Sequence, residues 1–303
     1  MYPMKLIPET KDYIWGGKKL KTEYNISGDS ENIAEAWVLS VHNDGKSVVA
    51  NGEFQGKTLK EILEKNKRFI GENISEMSVM IKLIDAQKNL SIQVHPDDDY
   101  AKKIEGDNGK TEAWYILDCE PDAEIIFGFE KPLTKEEFVC AIKEEKLDKF
   151  YKKVKVKKGD CFLIEAGTLH AICKGIVIAE VQQSSNVTYR VYDYGRTDAK
   201  GNKRELHIEK AIDVTKLQPA ENKAENSSAK CEYFDSRLFE IQDEYFFEVN
   251  KKSFAVILCT DGKGVLNYDG GKIEISKGEC VFIPAGTGKL NLNGSLTVLE
   301  TRV

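Results

Sequence analysis

KGDCFLIEAGTLH at residues 158–170 and KGECVFIPAGTGK at residues 277–289 are two copies of one sequence unit. They align without gaps, and seven of the 13 positions are identical: Lys, Gly, Cys, Ile, Ala, Gly and Thr. Each copy reads as a glycine turn, a strand, a tight turn and a second strand. Two copies of one β unit in a single chain predict two related β domains.

Short β-branched or aromatic runs, separated by turn residues, surround both copies and predict a mainly β protein. The dipeptides Asp261-Gly262 and Gly270-Gly271 are predicted hairpin turns in the second block. Between the blocks lies LQPAENKAENSSAK, a polar stretch without aromatic residues, which is typical of a domain boundary. The predicted organisation is a first domain, a linker and a second domain, at residues 1–217, 218–230 and 231–303.

A few helices are predicted at the periphery. Thr58 with Glu61, and Thr134 with Glu137, form two capping boxes, each followed by an apolar stripe. The stretch HIEKAIDVTKL at 207–217 predicts a third helix. Because these segments are rich in charge, we expect them to form outer layers over a β core.

Length and composition exclude several classes of protein. The chain has 303 residues and a net charge of -6, which disfavours a nucleic-acid partner bound over a wide surface but leaves room for a small phosphorylated substrate. No apolar run approaches the ~20 residues that cross a bilayer, and the N-terminus has no signal-peptide pattern. The seven scattered cysteines indicate a reducing compartment rather than a disulfide framework. We therefore expect a soluble, cytoplasmic protein without a membrane partner.

A possible metal site involves two of the four histidines. Gln93 and His95 lie two positions apart, so on a strand both side chains point to one face. His170 ends the strand unit of the first copy, and Glu112 opens another strand. Two imidazoles, a carboxylate and an amide on separate strands suit a divalent metal of zinc type with an open position. The spacing alone leaves a second interpretation open, a half-exposed strand with one polar face.

The second copy of the unit lacks this chemistry. Lys289 stands where the first copy has His170, so whatever His170 does has no counterpart at that place in the second domain. His42 and His207 have no comparable companions in the sequence, and we expect them to be surface or structural residues.

The first copy resembles a known superfamily motif. The pattern G-x5-E-x-G-x2-H at 159–170 is similar to the second motif of the cupins, with Glu165 in place of the usual proline, which the second copy keeps as Pro284. Cupins are antiparallel jelly-roll barrels that bind one metal inside the barrel. The resemblance implies two cupin-type jelly-roll domains with a few peripheral helices, the second one degenerate and without a metal site.

Further motifs narrow the resemblance to one family. QVHPDD, GKTEAWYI, AGTLHA and YRVYDYGR, in this order between Gln93 and Arg196, together resemble the type I phosphomannose isomerases in their short bacterial form. The resemblance covers essentially residues 1–215. Members of this family use zinc and interconvert mannose 6-phosphate and fructose 6-phosphate. The resemblance therefore implies an enzyme with one Zn²⁺ per chain and a small sugar phosphate as its partner.

The family's functional residues carry over onto matching positions. The resemblance implies four zinc ligands: Gln93, His95, Glu112 and His170. Arg190 matches the catalytic arginine, while Lys110 and Lys82 match lysines of the pocket.

The reaction that the family catalyses explains why such residues are needed. Aldose–ketose isomerisation moves a proton between C2 and C1 through a cis-enediol, and charge develops on O1 and O2. A cation and a guanidinium can stabilise that charge. Lys110 is two residues from Glu112, hence on the same face if both are in a strand. It is the first choice for proton transfer or ring opening, and Lys82 is the second. For Arg190 the alternative is a structural salt bridge to Asp193 or Glu180.

Two other functions remain as alternatives at this stage. The first is a different metal-cupin enzyme, such as an iron or manganese dioxygenase or a cupin-type glucose-6-phosphate isomerase, although these usually carry more histidine ligands. The second is a non-catalytic cupin that binds a sugar phosphate. The presence of Lys110, Glu112 and Arg190 together favours catalysis over binding alone.

Overall fold

The computed structural model describes residues 1–197 and 201–303. The α-helices of these residues are α1 Lys19–Thr22, α2 Leu59–Lys65, α3 Asp98–Ile104, α4 Lys135–Lys143 and α5 Ile208–Val214. The strands are β1 Met4–Ile7, β2 Glu9–Lys11, β3 Glu35–Leu39, β4 Val48–Val49, β5 Val79–Ala86, β6 Ile92–Val94, β7 Glu112–Cys119, β8 Glu124–Phe129, β9 Tyr151–Lys155, β10 Cys161–Ile164, β11 His170–Ile172, β12 Ile176–Gln183, β13 Tyr189–Tyr192, β14 Ser228–Lys230, β15 Asp235–Ile241, β16 Glu244–Val249, β17 Ala255–Tyr268, β18 Gly271–Ser276, β19 Cys280–Ile283 and β20 Gly288–Arg302. The prediction of a mainly β fold is confirmed. Within the described part of the chain, no helix is long and apolar enough to cross a membrane.

Two antiparallel sheets enclose the first barrel. One has the order β10-β7-β12-β5-β3-β2, and the other has the order β13-β6-β11-β8-β9. They share an apolar cluster that includes Trp114 and Ile178 from the first sheet and Phe127 and Ile172 from the second. Helices α4 and α5 cover the outside of the second sheet, where their apolar residues join a separate cluster. The helices therefore lie outside the barrel.

A third, nine-stranded sheet forms the second barrel. Its main path is β14-β15-β20-β17-β19-β1-β4, with β16 paired to β20 and β18 paired to β17. Strands β1 and β4 come from the start of the chain; Met4, for example, pairs with Phe282. The N-terminal segment thus completes the sheet of the C-terminal region and ties the two halves of the chain together.

Both copies of the repeat share a central strand with a glycine turn on either side of it. Strand β10 of the first copy corresponds residue for residue to β19 of the second. The glycines before these strands, Gly159 and Gly278, have φ of 92° and 90°. Those after them, Gly167 and Gly286, have φ of 87° and 81°. Glycine adopts such positive φ values without steric cost, which explains its presence at both positions in each copy.

The predicted helices are confirmed. Thr58 and Thr134 each accept a hydrogen bond from the backbone N–H three residues on, and a glutamate at that position returns one, so both capping boxes form. The third predicted helix corresponds to α5.

The two predicted hairpin turns need correction. Asp261-Gly262 is not a turn but lies inside the long strand β17, at a bulge where Gly262 has φ 72°. A glycine with positive φ lets a strand bend there without ending. The second turn is shifted by one residue, because Tyr268 pairs with Gly271 and leaves Asp269-Gly270 as the two-residue loop.

Candidate metal centre and active-site cleft

His95, Glu112 and His170 meet inside the first barrel. Their possible ligand atoms all lie within 4.8 Å of one another, and each residue is at most 1% exposed. Three different strands bring them together: His95 follows β6, Glu112 begins β7 and His170 begins β11. The Glu112 carboxylate lies between the rings, with Oε2 3.4 Å from His95 Nε2 and Oε1 3.4 Å from His170 Nε2.

Backbone carbonyls orient the two imidazole rings. His95 Nδ1 lies 2.9 Å from the Val187 carbonyl oxygen, and His170 Nδ1 lies 2.8 Å from that of Thr168. A carbonyl only accepts, so Nδ1 carries the proton and the Nε2 lone pair of each ring is directed at the Glu112 side. Burial, and then the charge of Lys110, lower the pKa of His95 to about 3. Burial also lowers the pKa of His170. Both rings are therefore neutral at pH 7, as metal ligation requires.

Several of these atoms lack a hydrogen bond among the described residues. Among the described residues, His95 Nε2 and both carboxylate oxygens of Glu112 are buried without a hydrogen bond. Burial disfavours the charged carboxyl, but the nearby charge of Lys110 outweighs it and holds the pKa of Glu112 well below its usual range. Buried polar atoms without partners call for an explanation, and a bound cation supplies one. The donor set of two imidazoles and a carboxylate fits zinc.

Gln93 lies at the edge of this triad. It is on β6, directly opposite His170 in the register of the sheet. Its Nε2 lies 3.4 Å from His170 Nε2, while its Oε1 accepts a hydrogen bond from Ser91 at 3.3 Å. The structure thus brings all four predicted ligands to one place.

A cavity of about 280 Å³ opens beside the triad and carries the predicted catalytic residues on its wall. Its charged lining consists of Glu35, Lys82, Lys110, Glu180, Arg190 and Arg204. Lys110 is 5% exposed and lies with Nζ 3.2 Å from Glu112 Oε2, so it adjoins the triad directly.

Lys82 occupies a different electrostatic environment. Its Nζ lies 3.2 Å from Glu180 Oε1 and 3.7 Å from Glu35 Oε2, and 5.2 Å from the centre of the Trp37 ring. Burial disfavours the ammonium form, but the two carboxylates outweigh burial and raise the pKa of Lys82 above its usual value. Lys82 is therefore protonated at neutral pH and is not available as a general base.

Arg190 forms neither of the salt bridges considered from the sequence. Its Nη1 donates to the carbonyl oxygen of Glu205 at 2.9 Å, and its Nε is buried without a hydrogen-bond partner among the described residues. Asp193 instead binds Arg196 and Arg204. Burial, followed by the nearby charge of Arg204, lowers the pKa of Arg190.

Comparison with known proteins places the chain in a family. The catalytic-domain model of type I phosphomannose isomerase matches residues 4–131, and the cupin-domain model of mannose-6-phosphate isomerase matches residues 224–303. Mannose-6-phosphate isomerase ManA of Bacillus subtilis is 36% identical over 305 residues, which cover 96% of this chain and 96% of that protein. The chain belongs to the type I phosphomannose isomerase family.

Other phosphomannose isomerases extend the likeness. Mannose-6-phosphate isomerase of Streptococcus mutans is 44% identical over 213 residues, covering 70% of this chain and 67% of that protein. The crystal structure of mannose 6-phosphate isomerase from Bacillus subtilis superimposes with a TM-score of 0.94 at 35% identity, over 100% of both chains. The predicted family and the cupin fold are both confirmed.

Several residues of the cleft are not apparent from the sequence as site residues. Glu35 and Glu180 are nearly buried and accept hydrogen bonds from the indole N–H groups of Trp37 and Trp114, respectively. Arg204 is a third. The signal for Glu180 is its place in an otherwise apolar strand, IVIAEV, where a charged residue requires a buried partner.

The two remaining histidines lie outside the triad. His42 has its ring nitrogens 3.6 Å from carboxylate oxygens of Asp44 and Asp107. The ring of His207 accepts a hydrogen bond at Nδ1 from the backbone N–H of Arg190. His207 therefore supports the strand that carries Arg190.

Proposed function

We propose that this protein interconverts mannose 6-phosphate and fructose 6-phosphate by aldose–ketose isomerisation through a cis-enediol. Membership of the phosphomannose isomerase family supports the substrate class. The observation that carries the proposal is the buried His95–Glu112–His170 triad with unpartnered polar atoms, which adjoins a cleft lined by lysine and arginine side chains.

The proposed cofactor is one zinc ion per chain, held by Gln93, His95, Glu112 and His170. Neutral rings with fixed Nδ1–H donors and an ionised carboxylate support this assignment. When bound, a divalent cation supplies Lewis-acid polarisation of substrate oxygens.

The side chains around the triad have separate proposed roles. Lys110 Nζ lies beside Glu112 and is placed to move the proton between C2 and C1 of the sugar. The Arg190 guanidinium has a nitrogen without a hydrogen-bond partner among the described residues, so it can stabilise negative charge that develops on O1 and O2. Lys82 is held protonated by two carboxylates and is suited to donate hydrogen bonds to the substrate rather than to accept its proton.

We also propose that the enzyme acts in the cytoplasm. All seven cysteines are free, and three of them are buried. Burial raises the pKa of the Cys161 and Cys259 thiols to about 12 and keeps them unreactive. Free thiols throughout a chain suit a reducing compartment.

A coupled assay of fructose 6-phosphate formation from mannose 6-phosphate tests the proposed function. The purified protein should contain about one equivalent of zinc, lose turnover after chelation and regain it on addition of Zn²⁺. Glu112→Gln keeps the shape of the side chain but removes the charge, so it should lose both zinc and turnover. Turnover that survives complete chelation, or sugar-phosphate binding without turnover in the zinc-loaded protein, would contradict the proposal.

A further inference from the structure

Two arginines bind the buried carboxylate of Asp193 beside the cleft, and a third arginine lies near them. Arg204 donates to Asp193 through Nε, at 2.8 Å, and through Nη2. Arg196 donates to the same carboxylate through its own Nη2. Arg190 is near enough to Arg204 for the two charges to interact. Asp193 is 5% exposed, and Arg204 and Arg196 outweigh its burial to hold the pKa of its carboxyl below the usual range. Arg196 and Asp193 pair away from the cleft wall, so the two arginines that line the cleft, Arg190 and Arg204, present a charge of +2 to it.

The arginines bound to Asp193 differ in what else they contact. Arg196 also donates from Nη1 to the Asn89 carbonyl and from Nε to the Asp193 carbonyl, and its guanidinium lies 5.0 Å from the centre of the Tyr194 ring. These contacts use all three of its nitrogen atoms within the protein. Arg204 instead lines the cleft together with Arg190. Asp193 engages Nε and Nη2 of Arg204, and Nη1 has no hydrogen-bond partner among the described residues, so that side of the guanidinium can bind a ligand.

One short segment carries one cleft arginine and holds the other. Arg204 belongs to it, and the next residue, Glu205, accepts a hydrogen bond from Arg190 Nη1 at its carbonyl oxygen. His207 then exchanges two hydrogen bonds with the backbone of Arg190, since its own N–H donates to the Arg190 carbonyl and its Nδ1 accepts from the Arg190 N–H. The segment 204–207 therefore carries Arg204 and also holds Arg190 in place.

We propose that Arg204 binds the phosphate group of the sugar phosphate and that Asp193 is the positioning residue that holds the Arg204 guanidinium in place. This inference rests on the proposed function, because it takes a sugar phosphate as the ligand of the cleft. A phosphate monoester carries a charge between about -1.5 and -2 at pH 7, which matches the +2 charge of the two arginines that line the cleft. A planar guanidinium suits phosphate oxygens, and a side chain already fixed by a carboxylate loses little entropy on binding.

Inorganic phosphate is the probe for the binding test, measured by isothermal titration on the zinc-loaded, full-length protein. Arg204→Gln should weaken phosphate binding by about tenfold or more, since a hydrogen bond to a charged group is worth roughly 1.5–3 kcal/mol. Arg196→Gln is the matched control, because it removes the other Arg–Asp193 contact without altering the cleft wall. Its phosphate affinity should stay within about threefold of the parent.

Steady-state kinetics with mannose 6-phosphate separate binding from chemistry. Arg204→Gln should raise KM by about tenfold and leave kcat within about threefold, the pattern of a group that holds substrate and transition state equally. Asp193→Asn should also raise KM, by a smaller factor. The double variant should be no worse than Arg204→Gln alone, because Asp193 acts through Arg204.

Several results would overturn the inference. One is phosphate affinity that is equal in Arg204→Gln and Arg196→Gln. Another is a fall in kcat at unchanged KM, which would place Arg204 at the reacting atoms. If Arg204→Gln does not fold, Arg204→Lys supplies the same comparison, because it keeps the charge but loses the fork. Should the parent protein bind phosphate through Arg204 yet fail to convert mannose 6-phosphate, the proposed reaction is wrong and the anion site stands.

Discussion

His170 and Lys289 occupy the same position in two copies of one β unit, yet His170 is 1% exposed in a polar site and Lys289 is exposed on the surface. Sheet register extends the comparison to the other candidate ligands. His170 pairs with Gln93, and Lys289 pairs with Glu248. Ile164 pairs with Glu112, and its counterpart Ile283 pairs with Ala255.

The fourth ligand has a counterpart as well. The Gly167 N–H donates to the His95 carbonyl at 2.8 Å, and the Gly286 N–H donates to the Asn250 carbonyl at 2.8 Å. The second barrel therefore has Glu248, Asn250, Ala255 and Lys289 where the first has Gln93, His95, Glu112 and His170. Both copies share the central strand and the glycine turns on either side of it, so most of the difference in chemistry comes from the side chains at these positions.

The second barrel uses its interior for packing. Apolar side chains such as Ile257, Val281, Leu290 and Leu292 form a continuous cluster there. Each buried residue of this kind stabilises the fold by about 1.5–3 kcal/mol. The first barrel instead places charged residues in its interior, at a cost that a bound cation would offset. The first barrel thus combines an apolar cluster with the candidate site, whereas the second holds an apolar cluster at the corresponding place.

The largest expected effect comes from replacing His170 and its counterpart Lys289, in separate variants, by alanine. His170→Ala should lose zinc and reduce turnover by more than about a thousandfold, because several kcal/mol of transition-state stabilisation leave with the metal. Lys289→Ala should change neither. Elemental analysis and the coupled assay on both variants measure the contrast. Equal metal content in the two variants would show that the first barrel is not the metal site.

Arg190→Ala tests whether a cation of the cleft contributes to turnover in addition to the metal. The variant should fold and retain zinc, yet kcat should fall by about a hundredfold to a thousandfold, since one electrostatic donor is worth roughly 3–4 kcal/mol. Circular dichroism and zinc analysis serve as controls beside the kinetic measurement. A rise in KM alone would instead identify Arg190 as a uniform binder of substrate.

Lys110→Met and Lys82→Met separate the two lysines of the cleft. Lys110→Met should lower kcat by about a hundredfold with zinc retained, and it should abolish exchange of the substrate C2 proton with solvent, because a positioned base is lost. Lys82→Met should retain some exchange. Proton NMR in D₂O measures this exchange of the C2 proton.

A second measurement on the same lysine variants reports stability. Lys82→Met leaves Glu35 and Glu180 buried without their cation, so its Tm should fall below that of Lys110→Met. The reverse pattern of proton exchange would mean that the roles of the two lysines are exchanged.

Local sequence signals predicted the parts of the structure that depend on neighbouring residues. The capping boxes at Thr58 and Thr134 and the glycine turns of the repeat each involve residues within a few positions of one another, and all are confirmed. The prediction that His95, Glu112 and His170 converge depended on family motifs. These residues lie on separate strands, and only the barrel brings them together.

Other features had no local signal. Strand β1 pairs with β19 although 270 or more residues separate them, and nothing within the segment specifies that partner. Asp261-Gly262 has the composition of a turn but continues β17, because pairing with β20 on both sides of the bulge outweighs the local preference. Arg204 likewise lines the cleft and binds Asp193, a residue 11 positions before it.

The smallest expected effect is that of Lys289→His, which restores the histidine of the first copy. The variant should bind no additional zinc, because Ala255 and Asn250 provide neither the carboxylate nor the second imidazole of a site. The local backbone also differs: Gly288, with φ 91°, precedes Lys289 where Leu169 precedes His170, and the side chain at 289 is exposed. Metal analysis after dialysis against excess Zn²⁺ should therefore give the same stoichiometry as the parent protein. A second tightly bound equivalent would mean that the repeat backbone itself, rather than the full set of side chains, determines where the metal binds.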